Sequence, residues 1–122
     1  MTIRIRTTAA ALAALLIAVP GAVLAAPSAD ELFDLLGDEY TRRVFEAVSE
    51  TPRSGREIAE VTGVSRATVY RRLNDLEDAG LVASDLVIAD DGNHHERYEA
   101  VAESLSVGLD GGRIDAAVQF SD

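Results

Sequence analysis

Residues 54–82 read SGREIAEVTGVSRATVYRRLNDLEDAGLV, and the fold is decided inside this stretch. Ser54 followed by Glu57 is a capping box, in which a hydroxyl and a carboxylate satisfy the first unpaired amides of a helix. Ile58, Ala59 and Val61 give that helix a narrow apolar face. Thr62-Gly63-Val64 reads as a turn, with Gly63 where a helix end takes a left-handed backbone. Ser65 caps a second helix, expected over residues 65–79, with Val69, Leu73 and Leu76 inward and Ala79-Gly80 as its end. Two short helices joined by a three-residue glycine turn describe a helix-turn-helix. Ala59 is small where the helices must cross, and Val64, Val69 and Leu73 anchor the second helix. Ser65, Arg66, Thr68, Tyr70, Arg71 and Asn74 remain outward, a face rich in donors of the kind that base edges and phosphates require. The free amides of the helix N-terminus add a grip for phosphate.

Charge is segregated around the same stretch. The 122-residue chain carries a formal net charge of -10, with eleven basic residues, all arginine, against twenty-one acidic ones. From Arg53 to Arg72 five arginines face Glu57 and Glu60 alone, whereas Leu73 to Asp110 holds ten acidic residues and a single arginine, Arg97. A local positive cluster is the footprint of a phosphate-facing surface. The lysine-free, acidic background has two readings: a GC-rich genome that favours arginine codons, or a salt-filled cytosol in which carboxylates keep the surface hydrated. We favour the halophilic reading, on which the net charge describes the solvent and the cluster describes the ligand.

The flanks complete the architecture. In SADELFDLLGDEYTRRVFEAVSE, residues 28–50, Leu32, Leu35 and Leu36 share one helical face and Tyr40, Val44, Ala47 and Val48 another. Ser28 with Glu31 is a second capping box, Gly37 divides the two helices, and Pro52 stops the longer one. Strands are expected at 81–89 and 94–102 around DDGN, and at 103–109 and 113–120 around Asp110-Gly111-Gly112. The predicted fold class is α+β, mainly helical: a winged helix-turn-helix with a three- to four-helix core, a β-hairpin wing over 81–102 and a second C-terminal hairpin. The expected divisions are residues 1–26, 27–102 and 103–122.

GVSRATVYRRLNDLEDAGLV followed by a hairpin resembles the winged helix-turn-helix of ArsR-type and related archaeal and bacterial transcription regulators. LLGDEYTRRVFEAVSE resembles the first core helices of haloarchaeal members, and the similarity runs over residues 28–102. The resemblance implies a recognition helix at 65–79 lying in the major groove of double-stranded DNA. Arg66, Thr68, Tyr70 and Arg71 would read bases, with Asn74 beside them, and Ser65, Arg72 and Arg53 would sit nearer the backbone. The wing would place its tip, Asp90–His95, and Arg97 against phosphate or the minor groove. Two departures are visible. Metal-sensing ArsR members use cysteine, and this chain has none. The wing tip ADDGNHHE is acidic, so Arg97 is the expected contact rather than Asp90 or Asp91.

The absence of cysteine excludes disulfides, thiol redox chemistry and thiolate metal sites. His94 and His95, adjacent on a strand, point to opposite faces and cannot share one ion, so neither metal nor cofactor is expected. No Ser/His/Asp arrangement, phosphate-cradling glycine loop or metalloprotease motif is present, and an enzyme is not expected. The expected role is a sequence-specific transcriptional regulator, a repressor, acting as a homodimer on paired half-sites through Ser28–Leu36 and Glu103–Phe120. A winged-helix module that binds proteins and never reads bases is the competing class.

Residues 1–26 pose a separate question. Arg4 and Arg6, an apolar run from Ala9 to Val19, Pro20-Gly21 and the small residues Ala25 and Ala26 have the layout of a signal peptide. The alternative is a start site further along, near Val19 or Val23. Any membrane attachment would run through residues 7–26, yet the strongly apolar part falls short of the roughly 20 residues a span needs. Basic residues before it and acidic ones after it would also put the domain outside, away from DNA. The expected location is therefore cytoplasmic, with membrane anchoring as the alternative.

Overall fold

Each of the four helices among the described residues starts on a side-chain cap, and those caps fix where the turns fall. The structure, a computed structural model, describes residues 2–5, 27–88, 92 and 94–121. Helix α1 (Ala29–Gly37) begins at Ser28, whose Oγ accepts the Glu31 amide at 3.1 Å. Helix α2 (Glu39–Glu50) begins at Asp38, whose carboxylate accepts the Thr41 amide at 2.9 Å and the Thr41 hydroxyl at 3.0 Å. Helix α3 (Gly55–Thr62) opens on the Ser54–Glu57 capping box, with both reciprocal bonds at 3.1 Å. Gly63 ends it at φ 71°, a left-handed backbone that favours glycine. Ser65 then caps helix α4 (Arg66–Asp78). The exit from α4 is a Schellman-type closure, with the Gly80 amide on the Glu77 carbonyl at 2.9 Å and the Leu81 amide on the Leu76 carbonyl at 3.0 Å.

Among the described residues the strands are β1 (Thr2–Ile5), β2 (Arg53–Ser54), β3 (Val82–Ile88), β4 (His94–Ala100), β5 (Ala102–Asp110) and β6 (Arg113–Phe120). They form two antiparallel three-stranded sheets, in the orders β2-β4-β3 and β1-β6-β5. The molecule is an α+β winged helix-turn-helix, with β3 and β4 as the wing. Strand β2, which pairs Arg53 with Tyr98 and Ser54 with Arg97, ties the wing to the first turn of α3. Two residues behind a proline carry no alternation, so the sequence reads this strand as loop. Strand β1, which the sequence does not suggest, pairs Thr2–Ile5 with Ala116–Gln119 of β6. Backbone pairing needs no side-chain signature, and the basic, apolar pattern there suggests a leader instead. The apolar segment of residues 7–26 lies outside the described residues, as do Asp90, Asp91 and Asn93 of the wing tip. Among the described residues no helix is long and apolar enough to cross a membrane.

The core is continuous through the helices and both sheets. Leu32, Val44, Val48, Ile58, Val69, Leu73, Leu76 and Leu81 are buried together with Val82 and Tyr98 at the root of the wing and Ala116 and Val118 of β6. Two expected core positions are corrected. Tyr40 is 45 % exposed and Thr41 only 2 %. With the helix starting after Asp38, the inward row is Thr41, Val44, Phe45 and Val48, at i, i+3, i+4 and i+7, and Tyr40 falls outside it. Val61 is 55 % exposed, so α3 buries Ile58 deeply, packs Ala59 against the core and leaves its last turn open. A helix of only two turns is too short for periodicity to separate its inner face from its flank.

Candidate nucleic-acid interface

Helix α4 presents three faces, and each does something different. Val69, Leu73 and Leu76 point into the core. Ala67, Arg71 and Asn74, spaced i, i+4 and i+7, form an exposed outer row, with exposed Arg66 at its N-terminal end. The two flanks between core and solvent are occupied by contacts within the protein.

One flank faces α2. The Arg72 Nε lies 3.2 Å from Asp38 Oδ2, the cap of α2, and its Nη1 lies 3.5 Å from Asp75, with the Arg72 side chain only 25 % exposed. Arg72 thus clamps α4 to the start of α2. The Asp38 carboxyl is held below its ordinary 3.8, first by the Thr41 amide and hydroxyl and then by attraction to Arg72 and Arg42.

The other flank faces the wing. The Tyr70 ring lies over Gly55 so closely that a Cβ there would stand 2.5 Å from ring atoms Cε1 and Cζ. Further along, Glu77 accepts the Ser84 hydroxyl of β3 at 3.1 Å. Beneath it the Tyr98 hydroxyl donates to Glu96 at 2.8 Å. Burial first, and then that carboxylate, push the Tyr98 phenol well above its ordinary value and keep it a neutral donor. These contacts, with β2, set the angle between wing and α4.

The arginine cluster is therefore smaller than its sequence count. Arg53 Nε donates to the Ala47 carbonyl at 3.0 Å and approaches Glu50 at 3.7 Å, with its side chain 17 % exposed. Arg56 pairs with Glu60 along α3 at 3.5 Å. Arg53 and Arg72, which the resemblance places near a nucleic-acid backbone, are thus both half-buried and engaged within the protein. Ser65 and Thr68 are engaged with each other: the Ser65 hydroxyl donates to that of Thr68 at 3.0 Å and accepts the Thr68 amide at 3.3 Å. Arg66, Arg71 and Arg97 are exposed and have no carboxylate within ion-pair reach among the described residues. Arg97 lies in the centre of the β2-β4-β3 sheet, between Ser54 and Asp85 in register.

His94 and His95 are exposed on β4, whose alternation sends them to opposite sides. His95 attracts Glu57 and, after the Ser54 bonds and Arg53, helps hold that carboxyl below its ordinary 4.5. Ala67 is the outer-row residue that the sequence reading omits, although helical spacing alone places it beside Arg71.

Residues 29–101 match the family described as the HVO_A0261 N-terminal domain. The chain belongs to that family. The matched region runs from the first residue of α1 to the end of β4 and includes every candidate interface residue. No curated protein sequence matches the chain. Among solved structures, it is similar to a possible transcriptional regulator from Methanosarcina mazei Go1, at 13 % identity and TM-score 0.50 over 58 % of this chain and 62 % of that one. It is also similar to the reduced form of the transcriptional regulator YodB from B. subtilis, at 21 % identity and TM-score 0.52 over 58 % of this chain and 69 % of that one. At these identities the likeness is one of fold. The chain spans about three-fifths of the Methanosarcina protein's length.

Proposed function

We propose that this protein is a sequence-specific DNA-binding transcriptional regulator that inserts α4 into the major groove. The observation that carries the reading is the outer face of α4: Arg66 and Arg71 exposed and unengaged beside Asn74 and Ala67, while neighbouring cations are consumed internally. Arginine forks match guanine, asparagine matches adenine, and a small apolar side chain suits a thymine methyl. Tyr70 borders the face with its ring braced on Gly55. Thr68 and Ser65 contribute chiefly by shaping the helix start, whose amides suit a phosphate. Arg97 supplies the wing's cation, and Arg53 and Arg72 act from behind by holding β2 and α4 in place.

The protein acts as an ArsR-like repressor, as a homodimer in the cytoplasm, and its acidic, lysine-free surface suits a halophilic archaeon. Occlusion of a promoter needs no second domain or cofactor. A protein-binding role belongs to the wing rather than to α4, because Leu86 and Ile88 are 66 % and 67 % exposed on an acidic strand pair.

Genome-wide mapping of bound sites, followed by titration against salt, tests the reading. Phosphate contacts by Arg66, Arg71 and Arg97 of each copy give a slope of log affinity against log salt of about -3 per copy. Replacing Arg66 and Arg71 with alanine should lower its magnitude by about 2 per copy and abolish site preference. Site-specific binding that survives both substitutions would refute the assignment of α4 as reader.

A further inference from the structure

The C-terminal sheet ends in an open strand. In the order β1-β6-β5, strand β5 pairs with β6 on one side and with no strand on the other among the described residues. Edges are usually blunted by charge, proline or bulges, since their unpaired amides and carbonyls invite another strand. From Ser104 to Leu109 this edge has no charge and no proline, and its one register irregularity falls earlier, between Ala102 and Ser104.

The register decides which groups point outward. Gly111 and Gly112, at φ 59° and 80°, make a two-residue primed turn closed by Asp110 and Arg113. The closing pair of such a turn is a hydrogen-bonded one, and hydrogen-bonded and open pairs alternate along an antiparallel ladder. The amides and carbonyls of Leu105, Val107 and Leu109 therefore face the open edge. Their side chains share a face with their register partners Val118, Ala116 and Ile114. That face is core at its base, with Ala116 and Val118 fully buried, and solvent-exposed at its end, with Val107 at 65 %, Leu109 at 79 % and Ile114 at 62 %.

We propose that the β5 edge is where two copies of this chain join, antiparallel about Val107, making one continuous six-stranded sheet. Three observations select a second copy as the occupant. The segment Ser104-Leu105-Ser106-Val107-Gly108-Leu109 is self-complementary about Val107: Leu105 meets the partner's Leu109, Ser106 meets the partner's Gly108, and Val107 meets itself. This is the symmetry a two-fold interface demands. The hydrogen-bonding phase agrees, because Val107 offers both its amide and its carbonyl to its twin. Finally, two chains of net charge -10 repel wherever carboxylates meet, and this uncharged strand lets them approach. Each exposed Val107 then lies beside its twin, and each exposed Leu109 beside the partner's Leu105. The inference deepens the dimer in the DNA-binding proposal, but its evidence is independent of α4.

The chain has no cysteine, so Val107→Cys introduces a single thiol. In hydrogen-bonded antiparallel pairs the Cα atoms lie about 5.5 Å apart, too wide between Cβ atoms for an unstrained disulfide but within reach of a short bis-maleimide linker. Treated with that linker, full-length Val107→Cys should run mainly as a covalent dimer, while Ile88→Cys on the wing should not. By sedimentation the natural chain should be a dimer, and Val107→Asp and Val107→Arg should each be monomeric with unchanged far-UV circular dichroism. Mixed, these two variants should form a heterodimer. A natural chain that sediments as a monomer would overturn the proposal. So would charged variants that remain folded homodimers, or a Val107→Cys chain that cross-links no better than Ile88→Cys. Retained dimerisation with loss of all DNA binding would instead overturn the α4 reading and leave this interface standing.

Discussion

Ile58 and Val61 sit three positions apart on α3, and the sequence assigns both to the same apolar face. The structure separates them, with Ile58 fully buried and Val61 55 % exposed. Truncating Ile58 to alanine removes fully buried methyl groups from a packed site, a change that costs about 2–5 kcal/mol. Against a typical domain stability of about 5–15 kcal/mol that loss is large. In a domain of this size it should lower the melting temperature by at least about 8 °C. Val61→Ala removes methyl groups that are less than half buried, a loss of up to about 0.7 kcal/mol at ~0.8 kcal/mol per buried carbon. Alanine's better helix propensity returns about 0.5 kcal/mol, so the net change should fall within about 0.5 kcal/mol of zero. Urea denaturation and thermal melts followed by circular dichroism would measure both variants against the natural chain. Equal destabilisation by the two substitutions would refute the orientation of α3, and with it the angle at which α4 is presented.

Gly55→Ala should leave stability nearly unchanged while forcing the Tyr70 ring outward by about 1 Å, the gap between the 2.5 Å approach and an ordinary carbon contact. DNA affinity should fall and Tyr70→Ala should mask the effect; full affinity in Gly55→Ala would show that the ring position is irrelevant to binding. Acid should weaken the fold through Asp38 and Glu57, whose carboxyls are held below their ordinary 3.8 and 4.5. Depressed carboxyls contribute stability that is present above those ordinary values and lost as pH falls through the lower folded ones. The melting temperature should therefore drop below about pH 4.5, even though acid also relieves the chain's negative self-repulsion. Asp38→Asn keeps a capping side chain but cannot titrate, so its curve should be flatter; curves parallel to the natural chain's would dismiss the stabilised Asp38 carboxylate, whose chief partner is Thr41.

Much of this molecule is written in short-range signals. The caps at Ser28, Ser54 and Ser65, the turn at Gly63, the break at Gly37 and the glycine hairpin at Gly111-Gly112 are local, because each satisfies backbone groups within a few residues of itself. They place four helices and two hairpins in order, and that order with the apolar spacing specifies a winged helix-turn-helix. The outer row of α4 was legible as well, since helical period alone separates Arg71 and Asn74 from Leu73 and Leu76. What the sequence could not rank was which arginines stay free. Arg53, Arg66, Arg71 and Arg72 look alike in a charge count; Ala47, Glu50 and Asp75 lie within a few residues of the arginines they hold, but Asp38 reaches Arg72 only once the helices have packed. The same holds for Tyr70, whose ring is fixed by a glycine on another helix, and for β2, whose two residues become a strand only because β4 lies beside them. Local chemistry determined the elements and their faces. Tertiary packing decided that Arg72 is held at Asp38, that Tyr70 lies on Gly55 and that β1 and β2 are strands, because those contacts join residues far apart in the chain.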